Sequence, residues 1–187
     1  MEKTPSHLWQ TCRLLANETR LKLLNEVFTA PDQCVEHIAA SVQISPSTAS
    51  TQLKWLCWDG FISVHRSGQT VFYDANIPHA PFWVSELQHA VRKSLAQKVF
   101  LNDLCRQATG FTHQRRIELA ALLSSSPLTL PQLEKRTVMS RTALLRHLKK
   151  LRTRGYIVLS NETYKLGRPK GLLAKALVKT IKTGIEQ

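Results

Sequence analysis

One pattern of core, turn and helix-capping residues occurs twice in this chain, about 95 positions apart. No other feature limits the fold as strongly, because a repeated pattern of this length predicts two copies of one structural unit. With one residue of slippage, the repeat extends upstream into a preceding helix. The matched pairs are Leu21 and Ile117, Leu23 and Leu119, Val27 and Leu123, Ser45 and Ser140, Leu53 and Leu148, Leu56 and Leu151, Gly60 and Gly155, Phe61 and Tyr156, and Ile62 and Ile157.

The first copy is predicted to contain helices followed by a hairpin. Asn17 is a suitable cap for a helix, and Ser45 followed by Pro46 is typical of a helix start. Asp59-Gly60 ends that helix, and residues 66–69 form the predicted hairpin turn. The expected elements are a helix with Leu8, Cys12 and Leu15 on one face, helices over 18–29, 34–41 and 46–58, and strands over 61–65 and 70–74.

The second copy repeats this order with a short helix over 130–137, a helix capped by Ser140, and strands over 156–160 and 163–166. Helix, helix, tight turn, helix and hairpin is the order of a winged helix-turn-helix. The prediction is a mainly α fold with small β-hairpin wings. Two tandem winged helix-turn-helix domains would be joined by a long helix over 85–108, and a final helix would cover 172–185. The expected domains are 1–80, a linking or dimerisation-type segment 81–110, and a basic domain 111–187 with the last helix.

The net charge of +13 is distributed unevenly along the chain. Residues 1–80 contain 6 Lys and Arg against 7 Asp and Glu, whereas residues 81–187 contain 20 against 6. This excess indicates a polyanionic partner for the second half. No apolar run approaches the roughly 20 residues that span a bilayer, and the start does not resemble a signal peptide. We therefore expect a cytoplasmic protein with no membrane role.

Three separated segments of the first half resemble the arsenic-repressor-type (ArsR) winged-helix family. They are the opening Leu15–Leu24, the segment Ile44–Leu56 and the exit Asp59–Ile62. The resemblance covers about residues 6–75, and the second half is only generically winged-helix. It implies a prokaryotic repressor that a metal or thiol-reactive signal releases from DNA. Such proteins are usually single-domain homodimers, so a second winged domain suggests either a monomeric pseudo-dimer or a homodimer of tandem chains.

An α-helix fits the major groove and reads base edges with its outward side chains. In the first copy these are short hydroxyl groups and one lysine, and in the second they include arginines and lysines that suit guanine and phosphate. Arg66 lies at the first hairpin, and Gly167-Arg168-Pro169 resembles the centre of an AT-hook, although an exposed turn is favoured there. We expect Trp55 and Trp58 to pack beneath the wing. The predicted DNA contacts are Ser47, Ser50, Thr51, Lys54, Arg66, Arg141, Thr142, Arg146, Lys149, Lys150, Arg168 and Lys170.

The family's metal-sensing members carry Cys-Val-Cys before the recognition helix, where this chain has Cys34-Val35-Glu36-His37. Cys34 and His37 are thus weak metal candidates, and two ligands do not complete a site. A structural cysteine is favoured over a metal ligand. The expectation is no resident cofactor, with a metal, thiol-reactive or other small effector left open. The sequence contains no catalytic motif such as HExxH, GxSxG or a phosphate-binding glycine loop. We therefore predict that the protein is not an enzyme.

The function predicted from sequence is sequence-specific binding of double-stranded DNA by a transcriptional regulator, with repression as the favoured mode. Two recognition helices would enter adjacent major grooves. The alternative is a winged-helix scaffold for protein interaction, or a non-specific nucleic-acid binder, in which only the second domain contacts DNA. The near-neutral charge of the first domain keeps this alternative open.

Overall fold

A computed structural model describes residues 7–186, with side chains described to Thr183. Contacts divide the chain into two compact units. The first unit comprises Asn17–Cys105. The second unit contains helix α1 (Leu8–Leu15) together with the chain from Arg106 onward. The two units are described separately below.

The first unit places three helices against a small antiparallel sheet. Its strands have the order β1-β3-β2, so the middle strand is the second arm of the hairpin. Helices α5 and α6 follow the sheet, and α6 crosses the unit boundary. The elements are α2 (Glu18–Thr29), β1 (Gln33–Cys34), α3 (Val35–Val42), α4 (Pro46–Trp58), β2 (Ser63–Ser67), β3 (Thr70–Asp74), α5 (Phe82–Ala96) and α6 (Leu101–Ala108).

The second unit repeats this arrangement, with the equivalent strand order β4-β6-β5. Its elements are α7 (Gln114–Ser125), β4 (Leu128–Thr129), α8 (Leu130–Arg136), α9 (Arg141–Thr153), β5 (Ile157–Ser160), β6 (Thr163–Leu166) and α10 (Leu172–Glu186). The predicted two-copy fold is therefore confirmed. The structure is mainly helical with small β-hairpin wings.

The same local devices start and stop the equivalent helices. The Ser45 hydroxyl accepts a hydrogen bond from the Thr48 amide at 3.2 Å, and the Ser140 hydroxyl accepts one from the Ala143 amide at 3.3 Å. Each hydroxyl satisfies one of the amides that a helix start leaves unpaired. At the other end, Gly60 and Gly155 have φ angles of +74° and +78°. Glycine reaches this left-handed conformation without the steric cost of a Cβ, which explains its position after each helix.

Each unit closes around its own apolar core. In the first unit, Leu21, Leu53 and Leu56 are fully buried, as their spacing predicted. In the second, Tyr156 packs against Phe111 with ring centroids 4.3 Å apart, and its hydroxyl donates to the Gln107 carbonyl at 2.7 Å. A Cβ on Gly110 would overlap the Tyr156 ring, so this close approach requires glycine.

Four details differ from the sequence expectations. The helix predicted over 85–108 is two helices, because Lys98 adopts a φ of +56° and the chain turns between α5 and α6. The first hairpin turn is only Gly68-Gln69, since pairing continues to Ser67 opposite Thr70. Strands β1 and β4 were not foreseen. Finally, α1 groups with the second unit and residues 81–105 with the first, unlike the expected three-part division.

Candidate nucleic-acid interface

Helix α4 occupies the recognition position of the first unit. Ala49, Leu53 and Leu56 are fully buried, which turns the opposite side of the helix outward. Ser47, Thr51 and Lys54 are exposed on that side. The Thr51 hydroxyl donates to the Ser47 carbonyl at 3.0 Å, so its oxygen remains able to accept a hydrogen bond from a ligand.

Two features of α4 were not expected. Ser50 is half-buried, so its side chain is less accessible to a ligand than the exposed Ser47, Thr51 and Lys54. Trp55 and Trp58 do not pack beneath the wing: they are 53% and 81% exposed. The prediction for these tryptophans was wrong, because Ala49, Leu53 and Leu56 form the buried side of α4 and both tryptophans lie outside it. The outward side of α4 is therefore partly apolar.

Helix α9 occupies the same position in the second unit and has a different surface. Leu144, Leu148 and Leu151 are buried, while Thr142, Arg146 and Lys149 are exposed. These three side chains follow one another along the outward side at helical spacing. Cations on an exposed helix of this kind suit both phosphate oxygens and the acceptor edge of guanine.

Two further predicted contacts on α9, Arg141 and Lys150, have neighbours that affect their positive charge. The Arg141 guanidinium donates to the Glu134 carboxylate at 2.8 Å, so part of its charge is neutralised by α8. Lys150 is half-buried. Its burial, followed by the neighbouring Arg154 and Arg116, lowers the pKa of its ammonium group. Lys150 therefore lies beside other cations rather than beside an acid.

The remaining predicted contacts lie on the wings and beyond. Arg66 is exposed on β2, opposite Val71. The second wing turns at Asn161-Glu162, where φ angles of +48° and +59° match a tight hairpin turn. Arg168 and Lys170 are exposed in the segment that leads into α10. Within the second unit, the structure brings Arg146, Lys149 and Lys150 together around one cleft, whose lining does not include Arg168 or Lys170.

Comparison with known proteins identifies this arrangement. A sequence model described as "Bacterial regulatory protein, arsR family" matches residues 17–64 and 113–158. The two matches begin at Asn17 and His113, the residues that cap α2 and α7. The chain belongs to the arsR family. As an arsR-family protein, it is a DNA-binding transcriptional regulator with two winged domains in tandem.

Two individual proteins are also similar to parts of this arsR-family chain. The transcriptional activator HlyU of Vibrio cholerae is 32% identical over 73 residues, which are 39% of this chain and 67% of that protein. The crystal structure of human N-acetylserotonin methyltransferase in complex with SAM has a TM-score of 0.34 at 13% identity. That match covers 56% of this chain and 31% of the methyltransferase. A TM-score this low carries no argument about fold or activity.

The two candidate metal ligands, Cys34 and His37, lie at the first turn of α3. Cys34 is half-buried at the start of α3, and His37 is exposed on the same helix. Among the described residues, no group of three or more His, Cys, Asp or Glu side chains is arranged to hold a metal. Burial raises the pKa of the Cys57 thiol to about 11, which disfavours the reactive thiolate.

No helix in the described part of the chain has the length and apolar character required to cross a membrane.

Sequence reasoning missed a basic cleft on the second unit. It has a volume of about 390 Å³ and lies where the start of α7 meets the side of α9. Three of its lining residues were predicted DNA contacts. Of the others, His113 and Arg116 lie at the start of α7, His147 on the inner side of α9 and Thr153 at the exposed end of α9. The cleft is lined by His113, Arg116, Arg146, His147, Lys149, Lys150 and Thr153. The charge count of residues 110–187, 16 Lys and Arg against 4 Asp and Glu, was the signal available for it.

Proposed function

We propose that this regulator binds a specific duplex by inserting α4 and α9 into successive major grooves and represses transcription by blocking polymerase. The observation that supports this is the duplicated geometry: each unit presents a serine-capped helix with leucines on its buried side and hydroxyl or cationic side chains exposed. Two such helices with different side chains would read an asymmetric site. Sub-sites on one face of the DNA would lie about 10 bp apart.

Helix α9 is proposed as the principal reader. Arg146 and Lys149 are exposed there, and one bidentate arginine–guanine contact discriminates by about 1–3 kcal/mol. Lys150, Arg168 and Lys170 would add phosphate contacts that fix position and weaken as salt rises. On α4, Ser47, Thr51 and Lys54 would make a smaller set of contacts, with Arg66 reaching the backbone from the first wing.

A second function is favoured by one specific observation on α4. Trp58 is 81% exposed and Trp55 53% exposed on a helix whose unit carries no excess of positive charge. Exposed tryptophans of this kind are typical of protein interfaces. In this alternative, α4 binds a protein partner and only α9 contacts DNA.

Paired charge reversals distinguish the two functions. If both helices read DNA, Arg146→Glu with Lys149→Glu and Thr51→Glu with Lys54→Glu should each lower specific affinity by at least about tenfold. If α4 is a protein-binding surface, the second pair should leave affinity unchanged. The control is Lys175→Glu with Lys182→Glu on α10, which changes the net charge as much as the first pair but lies outside both recognition helices. An equal loss of DNA affinity in all three double variants would mean that the protein binds DNA only by non-specific charge attraction.

The specific duplex is found by selection from a random library at physiological salt, where non-specific phosphate binding is weak. An enriched asymmetric motif with two sub-sites supports reading by both helices of one chain. A long palindrome supports a homodimer of tandem chains instead. Binding that fades with salt and enriches no sequence would overturn the proposed function. The similar protein HlyU is named an activator, so repression needs a test of its own. A selected motif that overlaps a promoter would support repression by blocking polymerase.

A further inference from the structure

The basic cleft on the second unit collects positive charge without an acid to balance it. Arg116, Arg146, Lys149 and Lys150 line it, and its lining includes no Asp or Glu. Arg116 donates to the Gly110 carbonyl at 2.7 Å and the Thr112 hydroxyl at 2.6 Å, which are neutral acceptors. These hydrogen bonds hold the guanidinium in place and leave its charge uncompensated.

The one acid of helix α7, Glu118, already pairs with another cation. Glu118, one turn further along α7, accepts a hydrogen bond from Arg115 at 2.9 Å. Burial lowers the pKa of the Lys150 ammonium, and the neighbouring cations Arg154 and Arg116 lower it further, the latter from within the cleft. The cations of the cleft therefore destabilise one another, and an anion placed between them would relieve that repulsion.

The floor of the cleft has a polar atom that nothing in the unit satisfies. His147 is 5% exposed, and within the described residues its Nδ1 is buried with no hydrogen-bond partner. Its ring lies against His113, with centroids 4.6 Å apart. A buried polar atom without a partner is destabilising, so native proteins rarely leave one unless a ligand or water completes it.

The first unit shows that the fold itself does not require this cluster. At the position of His147 it has Gln52, whose side-chain oxygen accepts a hydrogen bond from Arg20 at 2.8 Å. Arg20 is the equivalent of Arg116, so in the first unit the arginine and the inner polar residue satisfy each other. Trp55 and Trp58 stand where the second unit has Lys150 and Thr153. The second unit therefore has a lysine and a threonine where the first has two tryptophans, and it has a histidine where the first has a glutamine.

We propose that this cleft binds a phosphate group, held by Arg116, Arg146, Lys149 and Lys150, with the His147 ring in its lining. A volume of about 390 Å³ falls within the range of small-molecule sites, about 300–1,000 Å³. The group is supplied either by a free phosphorylated compound or by the DNA backbone. Because Arg146 and Lys149 are shared with the proposed DNA surface, a free anion in the cleft competes with DNA. That competition rests on the proposed function, whereas the phosphate site does not.

The test follows the imidazole signals of His113 and His147 by NMR in the full-length protein. Pyrophosphate is added to about 10 mM, well above a dissociation constant on the order of 1 mM, against sodium chloride of equal ionic strength. A saturable shift with pyrophosphate alone supports the site and assigns it to a free ligand. A shift only with the selected duplex supports the site and assigns the phosphate to DNA. Signals that respond to neither, or equally to chloride, overturn the proposal.

Two variants keep the test independent of folding defects. His147→Gln introduces the residue of the first unit, and Thr153→Trp fills the cleft from an exposed position without removing a cation. Each should weaken the saturable binding, followed on the His113 signal, by at least about tenfold, while Lys175→Gln on α10 should not change it. Unchanged binding in both cleft variants refutes the site. Duplex affinity measured on the same samples shows separately whether the proposed function fails.

Discussion

Acidification should destabilise the second unit through His147. The ring is 5% exposed on the inner side of α9. Burial, together with the nearby His113, Arg116, Arg146 and Arg115, lowers its pKa to about 4 from the ordinary 6.5. The unfolded chain has no such environment, so its imidazole takes up a proton first as the pH falls.

The sign follows from this difference in proton affinity. The folded unit binds the proton less tightly, so the full contribution to stability is present above the ordinary pKa and is lost as pH falls towards the folded value. One pKa unit corresponds to about 1.4 kcal/mol. Between about pH 7.5 and about pH 5, protonation of the unfolded chain should reduce the free energy of unfolding by about 2 kcal/mol. His113 adds to the loss, because burial and then Arg116 lower its pKa too.

Urea unfolding at the two pH values measures this loss. The methyl NMR signals of Ile157 and Ile181, both buried in the second unit, report on that unit alone. The variant His147→Gln should lose about 2 kcal/mol of the pH dependence, and His89→Gln, at an exposed position on α5, should lose none. If His147→Gln retained the full pH dependence of the original protein, or if the His147 signal titrated near its ordinary pKa, the reasoning would be refuted.

Two further changes probe the second unit. Ser140→Ala removes the hydroxyl that accepts from the Ala143 amide and should lower the free energy of unfolding, measured in urea, by about 1 kcal/mol. Ser140→Asp keeps a capping oxygen and should retain most of the stability. Equal loss in both variants would argue against capping. Tyr156→Phe removes the hydroxyl that donates to the Gln107 carbonyl at 2.7 Å. The loss should be about 0.5–1.5 kcal/mol, the net value of one hydrogen bond, because that carbonyl still accepts from the Gly110 amide at 3.2 Å. Tyr164→Phe on β6 is the matched control, and a similar loss there would contradict the assignment.

The fold could be predicted from sequence because its main signals are local. Asn17 and Ser140 cap helices through their own next turn, and Gly155 is placed by the conformation of a single residue. Such signals depend on neighbours within four positions, which the sequence displays directly. The break after α5 was missed for the same reason: Lys98 adopts a left-handed conformation with neither glycine nor proline to indicate it.

The candidate site was only partly predictable. Arg146 and Lys149 were identified because helical periodicity turns them away from the buried leucines. The partial burial of Ser50 and the exposure of Trp58 depend instead on which distant residues pack beside α4 in the folded unit. No local pattern records a contact between residues more than 20 positions apart.

By itself, the sequence determined that two winged domains follow one another and that the second carries the positive charge, since periodicity, capping and composition are properties of the chain. Only the tertiary structure decided that His113 and Arg116 at the start of α7 meet His147 and Lys150 on α9. Packing of α7 against α9 brings together residues about 30 positions apart in the sequence. The desolvation that shifts the pKa of His147 and leaves its Nδ1 unpaired arises from that packing and from no residue alone.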